Sequence, residues 1–424
     1  MKKKLPAILI TLLIVVLAGF IVALLLFIKN QPEPLRGVVP MVEVAAMEPD
    51  SAVWGQNFPN QYTTMLKTAQ NDEPTVYGGS KPVQKVDVDT RLILLFAGNP
   101  FGKDYKEDRG HEWALKDVKD TERISDKTTG TCLSCKSSDN PKLWTEMGMA
   151  AYDAMKFSEL TKQVTHSIGC ANCHEAGTMR LVVTNPALET ALKAQGQDWK
   201  TFTRQQMRSV VCANCHVEYY MAGDGKLLTL PWKDGTKIEN IAQYYTDIQF
   251  TDWVHADSGA SMIKMQHPDY ELYSAGSTHF NAGVACADCH MPYTRDGSAK
   301  FSTHDIMSPM LRLAETCGVC HTDVQYVAGR LKIIQDSVIE TMIKAEEAIV
   351  AAIAAIKTAA ESAGVDEALL AQARENHRQA QLRWDFIAAE NSMGFHNSQE
   401  ALRILADSID LARQAETLAI QAMK

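Results

Sequence analysis

The pattern of hydrophobic and polar residues first distinguishes the N-terminal part of the chain from the rest. An apolar run extends from Leu5 to Ile28, follows three lysines and is interrupted only by single proline, threonine and glycine residues. As a helix, the run would span roughly 36 Å and so exceed a hydrocarbon core of about 30 Å. Residues 1–30 are therefore predicted to form a transmembrane anchor, with a removed signal peptide as the alternative. The proline-rich residues 31–50 are predicted to form a tether.

The rest of the chain divides into two stretches of different periodicity. Residues 51–322 contain short apolar runs, such as the strand-like RLILLFAG at 91–98, and little regular repetition. Residues 323–424 carry long amphipathic runs rich in alanine, glutamate and glutamine, which predict long helices. Asn397 or Ser398 is the predicted cap of the last helix. The expected fold is mainly α, with an irregular domain followed by a region of long C-terminal helices.

Charge restricts the partners of the body of the protein. The whole sequence has a net charge of −9 and residues 1–30 contribute +4, so the remainder carries −13. This negative balance argues against a nucleic-acid partner, and an anionic substrate would need a local positive pocket. Because positively charged flanks stay in the cytoplasm, the lysines before the apolar run predict that the body lies on the extracytoplasmic (periplasmic) side of the cytoplasmic membrane.

All ten cysteines lie in five C-x-x-C pairs, namely Cys132/Cys135, Cys170/Cys173, Cys212/Cys215, Cys286/Cys289 and Cys317/Cys320. Four pairs are followed directly by a histidine, and these are His174, His216, His290 and His321. C-x-x-C-H is the attachment motif of c-type haem, in which the cysteines form thioethers and the histidine ligates the iron. Paired cysteines can also bind zinc, but zinc leaves the adjacent histidines unexplained.

The remaining cysteine pair ends in lysine. The stretch GTCLSCKSSD at 130–139 places Lys136 where the other motifs have histidine. It is either a broken attachment site or a haem site with a different iron ligand. If the irons of the other four haems each have two histidine ligands, four of these ligands must be histidines outside the motifs. Eight such histidines are present: His111, His166, His255, His267, His279, His304, His377 and His396. Their number alone does not identify which four.

Nine sequence blocks point to a known family. They are DYKEDRGHEW, TCLSCKS, GCANCH, CANCHVEYY, KMQHPDYE, CADCHMP, STHDI, CGVCH and GFHNSQEALR. Through them the chain closely resembles the pentahaem cytochrome c nitrite reductases, from about Ser51 to Arg403. The most specific part of the resemblance is one C-x-x-C-K site followed by four C-x-x-C-H sites in this order. The resemblance implies a multihaem cytochrome c domain over residues 51–322, packed around five covalently bound haems.

The resemblance also implies the ligands of the haem irons. Lys136 would be the proximal ligand of the catalytic haem, and the four motif histidines would serve the other haems. The opposite ligands would be His304 for the second haem in sequence order, His111 for the third, His396 for the fourth and His279 for the fifth. No histidine is left for the far side of the Lys136 haem, so that side is open to substrate. Three other histidines match no family ligand and are expected to be structural or solvent-facing: His166, His255 and His377.

The resemblance also implies three active-site residues next to the open side of the Lys136 haem, namely Arg123, Tyr219 and His267. Arg123 would hold an anion, His267 would deliver protons, and Tyr219 would hydrogen-bond to or gate intermediates. The plainer alternatives are a salt bridge from Arg123 to a haem propionate and simple packing of Tyr219 on haem. A calcium ion is implied as well, with ligands from the Glu218 carboxylate, the Gln266 amide oxygen and the backbone carbonyls of Tyr219 and Lys264.

Together these features predict a dissimilatory nitrite reductase that performs a six-electron reduction of nitrite to ammonium, fed by four bis-histidine haems. The alternatives are a reductase of hydroxylamine or another small nitrogen or sulfur oxyanion, and a pure multihaem electron-transfer cytochrome. The resemblance implies a quinol-oxidising multihaem cytochrome of the membrane as electron donor. It also implies a homodimer formed through the long helix at 326–363, so residues 323–424 would supply a haem ligand and the dimer interface.

Overall fold

The structure is a computed structural model that describes residues 5–30, 40–107 and 109–424, with the side chains of the first helix described over 12–25. The chain falls into two compact units, one ending at Met41 and the other running Val42–Lys424. In the first unit, the helix α1 runs Leu5–Asn30. Residues 31–39 of the predicted tether lie outside the described residues.

The predicted transmembrane anchor is not supported by the structure. Among the residues that the structure describes, no helix is both long enough and apolar enough to cross a membrane. The anchor therefore remains a prediction from the sequence.

The second unit is mainly helical, which confirms the predicted fold class. Its α-helices are α2 (Ser51–Asn57), α3 (Pro59–Leu66), α4 (Lys85–Val88), α5 (Arg91–Leu95), α6 (Ala114–Asp120), α7 (Asn140–Met147), α8 (Met149–Ala154), α9 (Phe157–Leu160), α10 (Pro186–Ala194), α11 (Arg204–Val210), α12 (Ile238–Asp247), α13 (Asp269–Ser274), α14 (Thr278–Asn281), α15 (Cys286–His290), α16 (Val324–Ala360), α17 (Glu367–Ala389) and α18 (Ser398–Ala422). Short 3₁₀ helices lie at Lys67–Gln70, Pro100–Gly102, His111–Trp113, Gly130–Leu133, Cys170–Asn172, Trp199–Thr201, Cys212–Asn214, Pro309–Arg312 and Cys317–Val319.

The described strands form three separate antiparallel hairpins. They are β1 (Tyr220–Ala222) with β2 (Leu227–Thr229), β3 (Trp253–Val254) with β4 (Ser261–Met262), and β5 (Tyr293–Asp296) with β6 (Ala299–Ser302). In register, Tyr220 faces Thr229, Trp253 faces Met262 and Tyr293 faces Ser302.

The strand-like interpretation of 91–98 is wrong, because this run forms the helix α5. Leu92 and Leu95 are both buried, and Phe96 beside them is fully buried. Residues three apart share a face on a helix but point to opposite faces of a strand. The Asp89 carboxylate accepts a hydrogen bond from the Arg91 backbone N–H at 3.0 Å, which satisfies a donor at the start of the helix.

The three C-terminal helices α16, α17 and α18 pack against one another. Short connections join them, and Gly364 in the first connection adopts a positive φ of 74° that ends the helical path. Asp323, Asp366 and Asn397 cap the three helices by accepting hydrogen bonds from first-turn backbone N–H groups. The cap of α18 is thus Asn397, one of the two predicted candidates.

A buried ion pair joins α17 to the segment that precedes α13. The Lys264 ammonium lies 2.8 Å from Asp385 Oδ1, and Asp385 Oδ2 accepts the Met265 backbone N–H at 2.8 Å. Both charged side chains are at most 2 % exposed. This contact positions the segment that carries Gln266 and His267.

Candidate haem-binding and active site

Each paired-cysteine motif lies on a single short helical turn. The C-x-x-C-H motifs begin 3₁₀ helices at Cys170, Cys212 and Cys317 and the α-helix α15 at Cys286. In the three 3₁₀ turns, the second cysteine donates its N–H to the first cysteine's carbonyl at 3.1 Å. The following histidine donates to the same carbonyl at 2.8–2.9 Å. All ten cysteines are free thiols, so each of these four turns presents two thiols and one imidazole together.

The last of these turns differs from the others in its exposure. Nine of the cysteines are partly buried, whereas Cys320 is exposed, as is His321 beside it. Val319 in the same turn is 74 % exposed. This turn lies at the end of the irregular domain, directly before α16.

Exposure of Cys320 leaves its predicted chemistry unchanged. A thioether forms at the sulfur atom whether or not solvent reaches the residue, and the motif spacing is intact. Haem attachment at Cys317 and Cys320 therefore stays a prediction, now for a turn at the protein surface.

The turn that carries Lys136 is held differently. The Lys136 backbone N–H donates to the Leu133 carbonyl at 3.1 Å. The buried Asn140 amide also donates to the carbonyls of Leu133 and Ser134, at 2.8 and 2.9 Å. Lys136 is half-buried, and its ammonium has no hydrogen-bond or ion-pair partner among the described residues. Lys136 is thus held through its backbone, and no described carboxylate competes with a metal for its side chain.

The structure brings together the four histidine pairs that the resemblance implied. Ring centres are 6.2 Å apart for His174–His304, 6.3 Å for His216–His111, and 6.4 Å for both His290–His396 and His321–His279. An imidazole nitrogen lies about 2 Å from a metal that it ligates, so two imidazoles on opposite sides of one ion have ring centres roughly 6 Å apart. The four spacings therefore fit iron between each pair.

Hydrogen bonds at Nδ1 orient several of these imidazoles. Three Nδ1 atoms donate to backbone carbonyls at 3.0 Å: His174 to Met179, His290 to Met307 and His304 to Ser302. A proton held at Nδ1 leaves Nε2 as the ligand atom. Burial also lowers the pKa of His111 to about 3, and burial lowers those of His290 and His304 to about 4. These imidazoles are therefore neutral at neutral pH, as iron ligation requires.

The three histidines without a family ligand role lie elsewhere. His255 and His377 are buried, with ring centres 5.2 Å apart. His255 Nε2 donates to the Leu94 carbonyl at 2.9 Å, and the Ser258 hydroxyl lies 3.1 Å from His377 Nδ1. His166 lies nearer the surface, 3.0 Å from the Asp139 carboxylate. These contacts link separate segments of the chain.

Electrostatic effects place Arg123 and Tyr219 beside the lysine-containing motif. Burial raises the pKa of the Cys132 thiol to about 11, and the positive charges of Arg123 and Lys136 oppose that rise. Burial also raises the pKa of the Tyr219 hydroxyl well above its usual value, again opposed by Arg123. Such effects require charges at short range. Tyr219 therefore stays protonated, and a guanidinium lies within reach of the same thiols.

His267 is held by a carboxylate that the sequence analysis did not identify. Its Nδ1 lies 2.7 Å from Asp269 Oδ2 and 3.2 Å from the Asn391 side-chain amide. Asp269 is only 8 % exposed. Burial would raise the pKa of Asp269, but His267 and His216 outweigh it and hold the pKa well below its usual value. The ionised carboxylate fixes the orientation of the His267 ring through Nδ1.

Asp269 also lies close to two of the predicted iron ligands. His216 Nδ1 lies 3.4 Å from Asp269 Oδ2, and His396 Nδ1 lies 3.6 Å from Asp269 Oδ1. His396 Nδ1 is 3.2 Å from the fully buried Glu390. One buried carboxylate thus connects the predicted proton donor with imidazoles assigned to the third and fourth haems.

Three of the four predicted calcium ligands converge in a buried cluster. Both oxygens of the fully buried Glu218 carboxylate accept hydrogen bonds, from the Tyr245 hydroxyl at 2.7 Å and the Gln266 backbone N–H at 2.6 Å. The Gln266 side-chain amide donates to the Lys264 carbonyl at 3.0 Å. Burial raises the pKa of Glu218 to about 8. A buried carboxylate beside a carbonyl and an amide is a donor set of oxygen atoms that suits Ca²⁺.

The chain is similar to proteins of a known family. Residues 50–424 match the family described as cytochrome c552. The chain belongs to the cytochrome c552 family. The resemblance seen in the sequence blocks is therefore confirmed. A cytochrome c carries haem attached covalently through paired cysteines, and this chain has five such pairs.

Curated relatives in the cytochrome c552 family match most of the chain. Cytochrome c-552 of Bacteroides fragilis is 37 % identical over 387 residues, which cover 88 % of this chain and 77 % of that protein. Cytochrome c-552 of Maridesulfovibrio salexigens is 34 % identical over 439 residues, which cover 97 % of this chain and 84 % of that protein.

A solved structure also matches this cytochrome c552. It is the catalytic subunit of cytochrome c nitrite reductase from Desulfovibrio desulfuricans, for which two calcium sites are described. The match has a TM-score of 0.85 and 34 % identity, and it covers 90 % of this chain and 88 % of that chain.

Proposed function

We propose that this cytochrome c552 reduces nitrite to ammonium in a six-electron reaction at the centre bound by Cys132, Cys135 and Lys136. The observation that carries the proposal is an asymmetry among the five motifs. Four motif histidines each face a second histidine at 6.2–6.4 Å. The fifth pair, Cys132 and Cys135, instead lies within electrostatic range of Lys136, Arg123, His267 and Tyr219. The four centres with paired histidines are suited to electron transfer, and the centre with Lys136 is suited to binding and reducing a substrate.

The haems would be held by the paired cysteines, the four histidine pairs and Lys136. When bound there, haem supplies redox-active iron that transfers electrons and, at an open coordination position, binds a small ligand. All other roles belong to side chains of the protein. Their task is to bind an anion, orient it and supply protons.

Arg123 is proposed to bind the nitrite anion. Its guanidinium has no carboxylate partner among the described residues, so none of them neutralises its charge. Arginine offers a planar, permanently charged donor set that matches an anion with two oxygens. The body of the protein carries a net charge of −13, so an uncompensated cation is needed to hold nitrite.

His267 is proposed to deliver protons, with Tyr219 as a hydrogen-bond donor. Asp269 binds His267 through Nδ1 and orients the ring, so the imidazole is held in place to carry and transfer a proton. The raised pKa of Tyr219 keeps its hydroxyl protonated. Reduction of nitrite consumes protons as the N–O bonds break, and these two groups supply hydrogen bonds and protons to the departing oxygens.

Calcium is proposed to bind at Glu218, Gln266 and the carbonyls of Tyr219 and Lys264. This site would tie the segment that carries Tyr219 to the segment that carries His267. The described contact that supports it is the hydrogen bond from the Gln266 backbone N–H to the Glu218 carboxylate, because it joins the two segments.

Cellular context is proposed from the sequence and the resemblance. The N-terminal apolar segment would anchor the protein in the cytoplasmic membrane, with the catalytic unit on the periplasmic side. A quinol-oxidising multihaem cytochrome of the membrane would donate electrons. A second copy of the chain would pack along α16, where Tyr326 and Ile333 are exposed.

The decisive experiment is steady-state turnover with reduced viologen as electron donor and nitrite as substrate. Stoichiometric ammonium is the expected product, and absence of ammonium would overturn the proposal. Lys136→His is the matched variant, because it restores a C-x-x-C-H motif while changing the iron ligand. It should retain its haem and lose most of its turnover. A pure electron-transfer cytochrome would instead show only low-spin iron and no turnover in either protein.

A further inference from the structure

The Arg123 guanidinium rests on an aromatic ring. Its Cζ atom lies 4.1 Å from the centre of the Phe101 ring. Among the described residues, no carboxylate lies within ion-pair distance of this guanidinium. The ring of Phe101 is thus the described contact that fixes the charged end of Arg123.

The same ring also contacts a second cation. The ammonium of Lys264 lies 4.8 Å from the Phe101 ring centre, and 5.3 and 5.2 Å from those of Phe96 and Tyr105. Phe101 and Tyr105 pack edge to face with centres 5.0 Å apart. Lys264 is in turn paired with Asp385. The ring of Phe101 therefore belongs to a cluster of aromatic side chains. Through Lys264, the same cluster also holds the segment that leads to His267.

The backbone segments that carry Phe101 and Arg123 are fastened to each other independently of the ring. Asn99 accepts the Phe101 backbone N–H at 3.0 Å. Asp104 accepts the Glu122 backbone N–H at 2.9 Å and the Thr121 hydroxyl at 2.5 Å. A change confined to the Phe101 ring therefore leaves both segments in place.

We propose that Phe101 is a positioning residue that holds Arg123 by a cation–π contact and leaves its charge available to nitrite. The inference rests on the proposed function. A carboxylate partner would fix the guanidinium equally well, but it would cancel the positive charge that attracts the anion. An aromatic ring attracts the cation through its quadrupole and carries no net charge. In a body of net charge −13, this way of holding Arg123 preserves a local positive potential.

The test replaces Phe101 with mono-, di- and trifluorophenylalanine in the five-haem protein. Fluorine withdraws electrons from the ring and weakens cation–π attraction with little change in shape. Nitrite affinity is measured from the absorption change of the oxidised protein, alongside KM and kcat. The dissociation constant and KM should rise stepwise, by roughly three- to tenfold for the trifluoro ring. The value of kcat should stay close to that of the unmodified protein.

Two controls separate this role from general packing and from the contact with Lys264. Phe250 is partly buried and packs against Tyr220 at 4.8 Å, but its ring contacts no cation among the described residues. The same fluorinated series at Phe250 should leave nitrite affinity unchanged. In an Arg123→Gln background, the effect of fluorination at Phe101 should disappear.

The outcomes distinguish this inference from the proposed function. If Arg123→Gln weakens nitrite binding but the fluorinated series at Phe101 has no effect, the positioning role is wrong and the proposed function stands. If Arg123→Gln leaves nitrite affinity unchanged, the anion-binding role of Arg123 is wrong and this inference fails with it. A fluorination effect that persists in the Arg123→Gln background would assign the effect to Lys264 and would also overturn the inference.

Discussion

At the scale of single residues, buried carboxylates set the protonation of the site. Asp269 lies within 3.6 Å of three imidazoles, those of His267, His216 and His396. Groups that hydrogen-bond to the side chains of metal ligands orient these ligands and change their basicity. Asp269 does this for two predicted iron ligands and also fixes the predicted proton donor. Its replacement should therefore alter proton delivery as well as turnover.

Asp269→Asn should lower kcat by about 10- to 100-fold, the usual cost of losing such a supporting group. A neighbouring negative charge favours protonated imidazole, so its removal should shift the alkaline limb of the pH–rate profile to lower pH. The measurement is kcat against pH after five haems have been verified by mass. Glu390→Gln is the matched control, because Glu390 lies 3.2 Å from His396 and makes no described contact with His267. Equal shifts in both variants would show that Asp269 does not act through His267.

Glu218 predicts a pH-dependent affinity for calcium. With a pKa raised to about 8 by burial, its carboxyl is protonated at neutral pH when no cation is bound. Calcium binds the carboxylate and displaces the proton, so the affinity should fall as the pH decreases below about 8. The decrease should approach about tenfold per pH unit.

Calcium titrations against a competing chelator, between about pH 6 and pH 8, measure this dependence. Calorimetry in two buffers with different ionisation enthalpies counts the released proton directly. Glu218→Gln should bind calcium more weakly and without the pH dependence. A calcium affinity that is constant across this range in the unmodified protein would contradict the assignment of Glu218 as the titrating ligand.

At the scale of elements, the contact between α17 and the Lys264 segment joins the long helices to the active site. Asp385→Asn keeps an acceptor for the Met265 N–H but leaves the buried Lys264 ammonium without its counter-charge. Breaking one side of a buried pair typically costs about 3–5 kcal/mol. Asp385→Asn should therefore lower the free energy of unfolding by roughly this amount, measured by denaturant titration of the five-haem protein.

The double variant Lys264→Met with Asp385→Asn is the control for that experiment. It removes both charges and places an apolar side chain among the rings of Phe96, Phe101 and Tyr105. Because neither charge is then left buried and unpaired, most of the lost stability should return. If the double variant is as unstable as Asp385→Asn alone, the ion pair does not stabilise the contact between α17 and the Lys264 segment.

Elements also show how far the sequence could predict this structure. Long periodic runs made α16, α17 and α18 predictable, since their apolar faces repeat over several turns. The short run at 91–98 was assigned wrongly, because a few consecutive apolar residues fit a strand or a helix equally well. The histidine pairs needed the resemblance, since His111 and His216 are far apart in sequence. Asp269 and Phe101 were missed for the same reason: their roles depend on contacts with distant segments.

The exposure of Cys320 could not be predicted from the sequence either. Its motif has the same spacing as the three other C-x-x-C-H motifs, so the pattern gives no sign that one turn lies at the surface. Burial depends on which segments pack over a turn, and a local motif does not contain that information.

At the scale of the whole molecule, the five cysteine pairs predict the covalent composition without reference to activity. All ten cysteines are free thiols, and the pair Cys132/Cys135 has the same spacing as the other four although lysine follows it. Haem attachment depends on the two thiols of a turn, whereas Lys136 affects only iron ligation. The protein from cells that mature c-type cytochromes should therefore carry five haems, counted by mass spectrometry of the denatured chain. Lys136→His should also carry five, whereas a variant with both Cys132→Ala and Cys135→Ala should carry four. Four haems in the unmodified protein, with the peptide that contains Cys132 and Cys135 unmodified, would show that the lysine-containing turn is a broken attachment site, and the proposed catalytic centre would then be excluded.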